Sequence, residues 1–564
     1  KRLSHLEDVL RTSGAFATVR RPHRSWVVAT APLPGGVQEI NDATRTFFAE
    51  GAHLFDRAGP AGIDHAATAR DARGLASFPG DFGFVHFGGD GRAAVVRSAG
   101  GRVPLYVFDH PDVVIIATRL TELVRWCPVE LQYDLMVCAL STTGWAIFPD
   151  NRTFFRGVEI VPRGHRVLIA GGKARVAERY WDARPARRVR RPTAATRREH
   201  TERFRSLLLG YLERELDDER NILTLSGGVD SSSLAALAAG VLGRPVDALS
   251  LMPRDQPYLD NERRYLDNLA RELPLGRRCE FQMTVADRVD LLKRTPRVAF
   301  PIVHPALGAL SDMVDGGEPA VLFGGEFADE VAGSTFTFPD WLDQTSLWSL
   351  ARHPKEWPMG SRTPQAWLGH RRRSLAHRPF FPLPSEVPDW VNTDLRGEYR
   401  EWRARRLAAF AADQRPWKWL DLHAEGDNFL AMNWEATTEL NVRRAWPFLN
   451  RPMLELAFEC HPSELVGPGI KKLLRAALPD DVPRLNLERS DRGHWPTEEA
   501  IIQPPPPAVG LEGLLADPRK WGDQAGEWPT FWKWVLAIFS THVCELRSHG
   551  AVGWLRKLPD IGRN

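Results

Sequence analysis

The 564-residue sequence lacks the features that mark several classes of protein. It has only five cysteines, which are scattered and never form a CxxC pair: Cys127, Cys138, Cys279, Cys460 and Cys544. This usage argues against a disulfide framework and a structural zinc site, and it fits a reducing cytoplasm. No run approaches the roughly 20 apolar residues of a membrane span, and the amino terminus has no signal-peptide core. The sequence therefore predicts a cytoplasmic protein without a membrane partner.

The sequence also has no large excess of positive or negative charge. Lys and Arg number 74 against 71 for Asp and Glu, so the net charge is only +3. A chain this close to neutrality does not indicate a nucleic-acid partner. Its length exceeds what one compact core supports, so two or more domains are expected.

Two regions differ in their pattern. Over residues 1–182, short apolar runs alternate with Gly, Asp and Pro turns, which predicts a largely β domain. The Arg- and Pro-rich segment 183–199 predicts a solvated basic linker. Over residues 200–564, strands such as NILTL, VDALSL and AVLFGG alternate with helical segments, and a mostly helical part follows. The predicted architecture has two domains, an α+β domain and then a parallel α/β sheet with added helices.

The loop LSGGVDSS at residues 225–232 follows one of these strands and precedes a helix. In a parallel α/β sheet, ligands bind beyond the carboxyl ends of the strands, where this loop lies. Its two glycines let the backbone approach a ligand, and Ser226 and Ser231 offer hydroxyls. With the N–H groups that begin the helix, they predict a phosphate site. Asp230 would repel that phosphate unless a cation lay between them, which predicts Mg²⁺.

The loop lacks the GK[ST] ending of a Walker loop. It resembles the SGGxDS motif of the ATP pyrophosphatases, enzymes that split ATP between its α- and β-phosphates. A second segment, LFGGEFADEVAG at residues 322–333, resembles the G-E-x-x-D-E segment of the asparagine synthetase superfamily. The resemblance implies that Asp329 supplies the second magnesium contact. Two carboxylates from separate strand ends suit a hard, oxygen-seeking cation.

The resemblance to this superfamily extends over nearly the whole chain. Segments FPGDFGFV and RTFFRGVEIVPRGH are similar to its amino-terminal glutaminase-type (Ntn) domain, and WPFLNRPMLELAF is similar to its carboxyl-terminal helices. It implies a glutaminase-like β-rich sandwich over 1–182 and an ATP-pyrophosphatase-type synthetase domain over 200–564. Residues 1–126, however, contain no cysteine to act as the glutaminase nucleophile. We therefore expect the first domain to be a degenerate scaffold and the amine to belong to the substrate.

Two branches of the superfamily work without glutamine, the lasso-peptide cyclases and the β-lactam synthetases. β-Lactam synthetases carry a Tyr three residues before the second metal Asp, where this sequence has Glu326. That difference favours a lasso-peptide cyclase, which adenylates a side-chain carboxylate of a precursor peptide and closes a macrolactam, an isopeptide bond, with its N-terminal amine. AMP and pyrophosphate are released. Lasso peptides are made on the ribosome and then modified. The resemblance therefore implies two partners in this biosynthesis, a leader-binding protein and a leader peptidase.

Other functions stay open from the sequence. One is β-lactam synthetase-like cyclisation of a small β-amino acid. Another is a glutamine-dependent asparagine synthetase, if a native amino-terminal Cys is missing from a chain that begins with Lys1. A non-catalytic ATP-binding regulator is disfavoured by the intact Asp230 and Asp329, and an RNA-modifying pyrophosphatase by the near-neutral charge.

The interpretation assigns roles to individual residues. Those expected to bind ATP are Leu225, Ser226, Gly227, Gly228, Asp230, Ser231, Ser250, Leu251, Met252, Gly324 and Gly325. The expected Mg²⁺ ligands are Asp230 and Asp329, and Glu326 is the candidate base for the amine proton. The cations considered for pyrophosphate are Arg489 and Arg492, with Lys472 and its neighbour Lys471 as further candidates.

Overall fold

The computed structural model describes most of the chain in seven ranges with short internal gaps: 81–133, 151–182, 189–253, 259–283, 309–314, 318–375 and 391–489. It also describes the backbones of four strands between residues 18 and 50, and the single residues Asp8, Arg11, Val387, Leu514 and Val543. No helix in these ranges is long and apolar enough to cross a membrane.

The amino-terminal part is built from antiparallel strands and one helix. They are β1 (Thr18–His23), β2 (Trp26–Thr30), β3 (Gln38–Asn41), β4 (Arg45–Glu50), β5 (Gly83–Phe87), β6 (Ala93–Arg97), β7 (Tyr106–His110), β8 (Val113–Ala117), α1 (Leu120–Trp126), β9 (Val158–Ile160), β10 (His165–Ala170), β11 (Lys173–Ala174) and β12 (Glu178–Arg179). One sheet has the order β11-β10-β6-β5-β4-β3, with β12 also paired to β10, and a second has the order β8-β7-β9. Strands β1 and β2 form a separate hairpin.

The two larger antiparallel sheets share an apolar core. Alternate residues of β6 and β10, Val95 and Val167, pack in one cluster with Val107 of β7 and Val114 of β8. Because successive side chains of a strand point to opposite faces of the sheet, every second residue of these strands points toward the other sheet. A β-rich sandwich was predicted here, and its likeness to a glutaminase domain stays a prediction.

The rest of the described chain alternates helices and parallel strands before becoming mostly helical. The first elements are α2 (Ala194–Glu215), β13 (Asn221–Thr224), α3 (Val229–Ala235), β14 (Asp247–Pro253), α4 (Leu259–Glu272), β15 (Arg278–Met283), β16 (Ala320–Gly324) and α5 (Ala328–Ala332). The later ones are α6 (Phe338–Gln344), α7 (Leu347–Arg352), α8 (Thr363–Leu375), α9 (Thr393–Ala412), α10 (Trp417–Glu439), β17 (Val442–Arg444), α11 (Arg451–Glu459), α12 (Pro462–Leu465), α13 (Lys472–Ala477) and α14 (Arg484–Leu487). A π-helical turn, Ala236–Val241, extends α3, and two short 3₁₀ turns lie at Pro354–Glu356 and Gly360–Arg362.

The five strands of the parallel sheet have the order β15-β14-β13-β16-β17. Their side chains alternate between two cores: Ile222 and Leu322 pack in the one that also contains the three-stranded sheet. Leu223 and Phe323, their chain neighbours, pack on the opposite face with α2, α3 and α11. Because both faces of the sheet are covered, the sequences of these strands are continuous apolar runs. The predicted parallel α/β sheet is confirmed.

The antiparallel sheets and the parallel sheet are joined through ion pairs and buried hydrogen bonds. Arg97, which is fully buried, pairs with Asp427 of α10 at 2.8 Å. Glu435 on the same helix is fully buried and accepts hydrogen bonds from the backbone N–H and the hydroxyl of Thr121, both at 3.0 Å. Helix α10 is therefore one of the elements that hold the two parts together.

The basic segment predicted as a linker, residues 183–199, ends earlier than expected. The hydroxyl of Thr193 accepts a hydrogen bond from the backbone N–H of Thr196 at 3.1 Å, and α2 begins at Ala194. This N-cap starts the helix inside the Arg-rich run. Arg191 also pairs with Glu356, so the end of the segment is tied to the protein surface and is not a free linker.

Candidate active site

The carboxyl ends of β13 and β16 lie side by side and bring the two predicted loops together. Thr224 is paired with Gly324 in the parallel register. A Cβ atom on the next residue, Gly325, would lie 2.8 Å from the Cβ of Asp230. The loop after β16 therefore packs directly on the start of α3, and only a glycine allows that approach.

A lysine lies between the two carboxylates that the sequence assigned to a metal. Lys471 Nζ is 3.1 Å from Asp230 Oδ2 and 2.7 Å from Asp329 Oδ1. The lysine side chain is 2% exposed, whereas those of Asp230 and Asp329 are 28% and 41% exposed. The carboxylates thus form the open side of the site, and the ammonium group lies behind them.

The charges in this group influence one another. Burial raises the pKa of Asp230, and the nearby Asp329 raises it further, whereas Lys471 opposes both effects. Burial by itself lowers the pKa of Lys471, but attraction to the two carboxylates outweighs it and leaves that pKa above its usual value. Lys471 is therefore a permanent cation near neutral pH and is unsuited to act as a base.

The donor set fits a hard divalent cation. Two carboxylates converge from adjacent strand ends, which is the ligand type that Mg²⁺ prefers. Within the described part of the chain, Asp230 Oδ1 is buried and makes no hydrogen bond, so one acceptor is left over after the contact with Lys471. Two carboxylates against one lysine also leave the group with excess negative charge.

The glycine-rich loop is held from behind by polar contacts. Gly227 has a positive φ of 69°, and a Cβ there would lie 2.8 Å from the Cβ of Tyr265. Asn486 donates from Nδ2 to the carbonyl oxygens of Gly227 and Tyr265, both at 3.2 Å. Ser226 and Ser231 face each other across the loop with their hydroxyl oxygens 3.3 Å apart. These contacts fix the loop before any ligand binds.

Arg489, one of the predicted cations, belongs to this support. Its guanidinium donates to both oxygens of Glu262, lies 4.2 Å from the ring centroid of Tyr265 and donates to the carbonyl oxygen of Ser226 at 3.3 Å. It therefore lies against the phosphate loop, with Glu262 already neutralising its charge. Arg492, the other predicted arginine, lies outside the described residues.

Glu326 is held by an arginine that the sequence did not single out. Its carboxylate pairs with Arg444 of β17 at 2.5 Å, and Arg444 is 2% exposed. The guanidinium of Arg444 also lies 4.4 Å from the ring centroid of Trp446. Burial lowers the pKa of Arg444, whereas the charge of Glu326 raises it. The candidate base is thus oriented by a buried cation.

The turn that carries Glu326 is itself unusual. Phe327 adopts a left-handed backbone conformation with φ of 65°, which is uncommon for a bulky residue. Its ring packs edge-on against Phe429 and Trp446, with centroid distances of 5.8 and 5.5 Å. Strained residues of this kind cluster at functional sites, where the surrounding packing maintains them.

The remaining predicted residues divide into two groups. Leu225 donates its N–H to Leu249 at 2.9 Å, and Ser250, Leu251 and Met252 continue β14 beyond the last position paired with β13. Their backbone therefore borders the same end of the sheet. Lys472, in contrast, donates to the carbonyl oxygen of Ser463 at 2.8 Å, and its surroundings include Arg197 and Glu356. It is not in the carboxylate group, where its neighbour Lys471 lies instead.

Comparison with known proteins gives two results. A model of the asparagine synthase family matches residues 203–518, more than half of the chain. Two curated proteins share a shorter segment of 165 residues: amidase chyE of Penicillium rubens is 27% identical to this chain over it, and amidase chry2 of Gibberella zeae is 26% identical. That segment is 29% of this chain, and the chain spans only 24% of the length of each relative.

Proposed function

Because the chain belongs to the asparagine synthase family, whose members are ATP-dependent ligases that form C–N bonds, we propose that this member is an AMP-forming cyclase. It adenylates a side-chain carboxylate of a precursor peptide and closes a macrolactam with the peptide's N-terminal amine. The observation that carries the proposal is the group of Asp230, Asp329 and Lys471 at the ends of two adjacent parallel strands.

The adenylation half-reaction uses the loops that meet at this edge. The substrate carboxylate attacks the α-phosphate of ATP, and pyrophosphate leaves. Backbone N–H groups of Gly227 and Gly228 face the phosphates, while the backbone of Ser250–Met252 meets the adenosine. Lys471, a buried and permanent cation, compensates negative charge that develops on the leaving group. Asp230 and Asp329 are the residues that would hold Mg²⁺, which supplies charge neutralisation to the triphosphate when it is bound.

The second half-reaction requires an amine that has lost a proton. Glu326 lies at the same sheet edge and is the candidate acceptor of that proton. Arg444 holds its carboxylate in one orientation, and the Phe327 turn fixes the backbone beneath it. A base held in place before the substrate arrives contributes to the rate through orientation as well as proton affinity.

The source of the amine separates this proposal from glutamine-dependent synthesis. Residues 1–126 contain no cysteine to release ammonia from glutamine. A peptide amine would replace that ammonia, and the antiparallel sheets would then act as a scaffold. The proposed setting is the cytoplasm, with a leader-binding protein and a leader peptidase as partners. Cyclisation of a small β-amino acid is the second candidate, and the presence of Glu326 in place of a tyrosine disfavours it.

The proposal is tested by combining the protein with Mg-ATP and the core peptide encoded beside its gene, with mass spectrometry as the readout. A product that is lighter by one water, with AMP formed in step, is the expected result. AMP formed only with a small β-amino acid would replace the proposal by the second candidate. Absence of AMP with every carboxylate, even after the partner proteins are added, would overturn both.

A matched pair of variants assigns the chemistry to the site. Asp329→Asn removes one carboxylate and is expected to lower the rate of AMP formation by about 10²–10³-fold, the usual effect of losing one charge-stabilising group. Asp343→Asn is the control, because Asp343 is similarly exposed at 44% but pairs with His370 of α8 and not with Lys471. Equal activity in the two variants would contradict the assignment.

A further inference from the structure

A second cluster of side chains, which the proposed reaction does not use, lies where α2 meets the segment after α11. It consists of His200, Cys460 and Glu464, and one potential ligand atom from each lies within 4.8 Å of the others. His200 Nδ1 is 2.9 Å from Glu464 Oε1 and 3.5 Å from Cys460 Sγ. The side chain of His200 is 13% exposed and that of Glu464 4%, and Cys460 is 1% exposed.

The three side chains favour one class of metal ion. A thiolate, an imidazole and a carboxylate together suit a borderline divalent metal such as Zn²⁺ and are poorly suited to Mg²⁺ or Ca²⁺. Tetrahedral bonds of the usual zinc lengths place a sulfur and a nitrogen ligand about 3.6 Å apart, close to the spacing found here. Three protein ligands leave a fourth position, which a water or a solvent anion can occupy.

The carboxylate is already oriented for this task. Glu464 uses its other oxygen, Oε2, to accept a hydrogen bond from the backbone N–H of His461 at 2.9 Å. That contact closes a capping box at the start of α12 and turns Oε1 toward His200. Outer contacts of this kind typically hold metal ligands in place.

We infer that His200, Cys460 and Glu464 form a zinc-class metal site outside the active site. Binding forms a metal–sulfur bond and releases the proton of the Cys460 thiol to solvent. The metal would join residue 200, early in α2, to residues 460 and 464, which are distant in sequence. The scattered cysteines argued against a structural zinc site, and the site inferred here differs from that expectation because it depends on residues that only the fold brings together.

The site would also affect the catalytic edge. A Cβ on Gly333, the residue that ends α5, would lie 2.5 Å from the carbonyl oxygen of Leu465. The same glycine accepts a hydrogen bond at its carbonyl oxygen from the N–H of Lys471 at 2.9 Å. Leu465, next to the ligand Glu464, therefore packs closely against the end of the helix that carries Asp329, and we expect a metal at Glu464 to restrict the movement of that end.

The test uses the full chain, freed of metal with a chelator and titrated with Co²⁺ as a spectroscopic substitute for Zn²⁺. We expect a thiolate-to-cobalt charge-transfer band that saturates at one equivalent and disappears when Zn²⁺ is added. We also expect the melting temperature to rise with Zn²⁺. A metal bound only at Asp230 and Asp329 would give no thiolate band, so the two sites are distinguished.

Variants make the result decisive. Cys460→Ser should abolish the band, whereas Cys279→Ser, at a partly exposed cysteine in β15, should keep it. Glu464→Gln keeps an acceptor for the helix cap and should weaken Co²⁺ binding by at least the roughly 10–100-fold seen when an outer contact is lost. No band in the parent protein, or an equal band in Cys460→Ser, would overturn the inference.

Discussion

Two groups of charged residues in this protein use opposite arrangements. At the candidate active site, two partly exposed carboxylates share one buried lysine, Lys471. At the interface between the antiparallel sheets and the parallel sheet, arginines outnumber the acids: Arg102 and Arg443 both pair with Glu215, at 2.9 and 2.5 Å. The first group has excess negative charge on partly exposed carboxylates, and the second has excess positive charge around one buried carboxylate.

This difference in net charge distinguishes a site that can accept a ligand from a structural interface. Excess negative charge at an open edge favours a further cation, and Asp230 Oδ1 still lacks a hydrogen bond within the described chain. Arg97 in the interface is instead paired with the carboxylate of Asp427 and with the backbone carbonyl oxygens of Val103 and Val161. An ion that is satisfied in this way specifies how two parts join and leaves no place for a ligand.

The largest expected effect concerns the interface. Glu215→Gln leaves two arginines without their shared charge, and we expect it to lower the free energy of unfolding by about 3–5 kcal/mol. Denaturant unfolding measures this directly. Glu459→Gln is the control, since Glu459 pairs with Arg203 where both side chains are about half exposed, 50% and 42%, and should change stability by no more than about 1 kcal/mol. Equal effects would mean that the interface is not held by its charges.

The next comparison uses two adjacent lysines. Lys471→Met removes the cation from between the carboxylates, and AMP formation should fall by about 10²–10³-fold. Lys472→Met removes only a contact to the carbonyl oxygen of Ser463, so the rate should stay near that of the parent. Initial rates of AMP formation at saturating Mg-ATP give the measurement. A larger loss in Lys472→Met would contradict the position of the two side chains.

Much of this site could be predicted from sequence because its elements are local. Strand, glycine-rich loop and helix follow one another around residues 221–235, and the DE pair of α5 follows β16 in the same way. The two loops had to meet, since carboxyl ends of neighbouring parallel strands share one edge. That Asp230 and Asp329 would lie close together could therefore be predicted from the sequence, and their role as metal ligands stays a prediction.

The cations could not be identified in this way because they come from distant parts of the chain. Lys471 and Lys472 are adjacent lysines that the sequence does not tell apart. In the structure, Lys471 has a left-handed backbone with φ of 59°, and its side chain is the one that contacts the carboxylates. Arg444 reaches Glu326 from β17, a strand of three residues inside a region that was predicted to be helical. Neither a short edge strand nor a single left-handed residue leaves a clear pattern in one sequence.

A third prediction concerns Asp81, a buried acid at the interface. Burial raises its pKa from 3.8 to about 6, with Arg102 opposing and Glu215 adding to the rise. The folded state binds the proton of Asp81 more tightly than the unfolded chain does. The stabilisation that results is therefore complete below pH 3.8 and is lost as the pH rises through about 6. At 1.36 kcal/mol per pH unit, the loss is roughly 3 kcal/mol.

Asp81→Asn should remove this part of the pH dependence. Unfolding free energies measured at several pH values between about 4 and 7 should fall less steeply in the variant than in the parent. Asp90→Asn is the control, because Asp90 is 61% exposed, and it should leave the slope unchanged. If the parent and Asp81→Asn had the same slope, the buried acid would not be the cause.

The smallest effect is expected where the two groups of charges meet, at Arg444. Arg444→Lys keeps the positive charge beside Glu326 but loses the planar fork and its position over Trp446. Such a contact contributes about 0.5–2 kcal/mol, so stability should fall within that range. If Arg444 orients Glu326 for the amine proton, the amide-forming step should slow more than ATP–pyrophosphate exchange, which reports the preceding adenylation step. Equal slowing of both steps would mean that Arg444 only supports the fold of the edge strand.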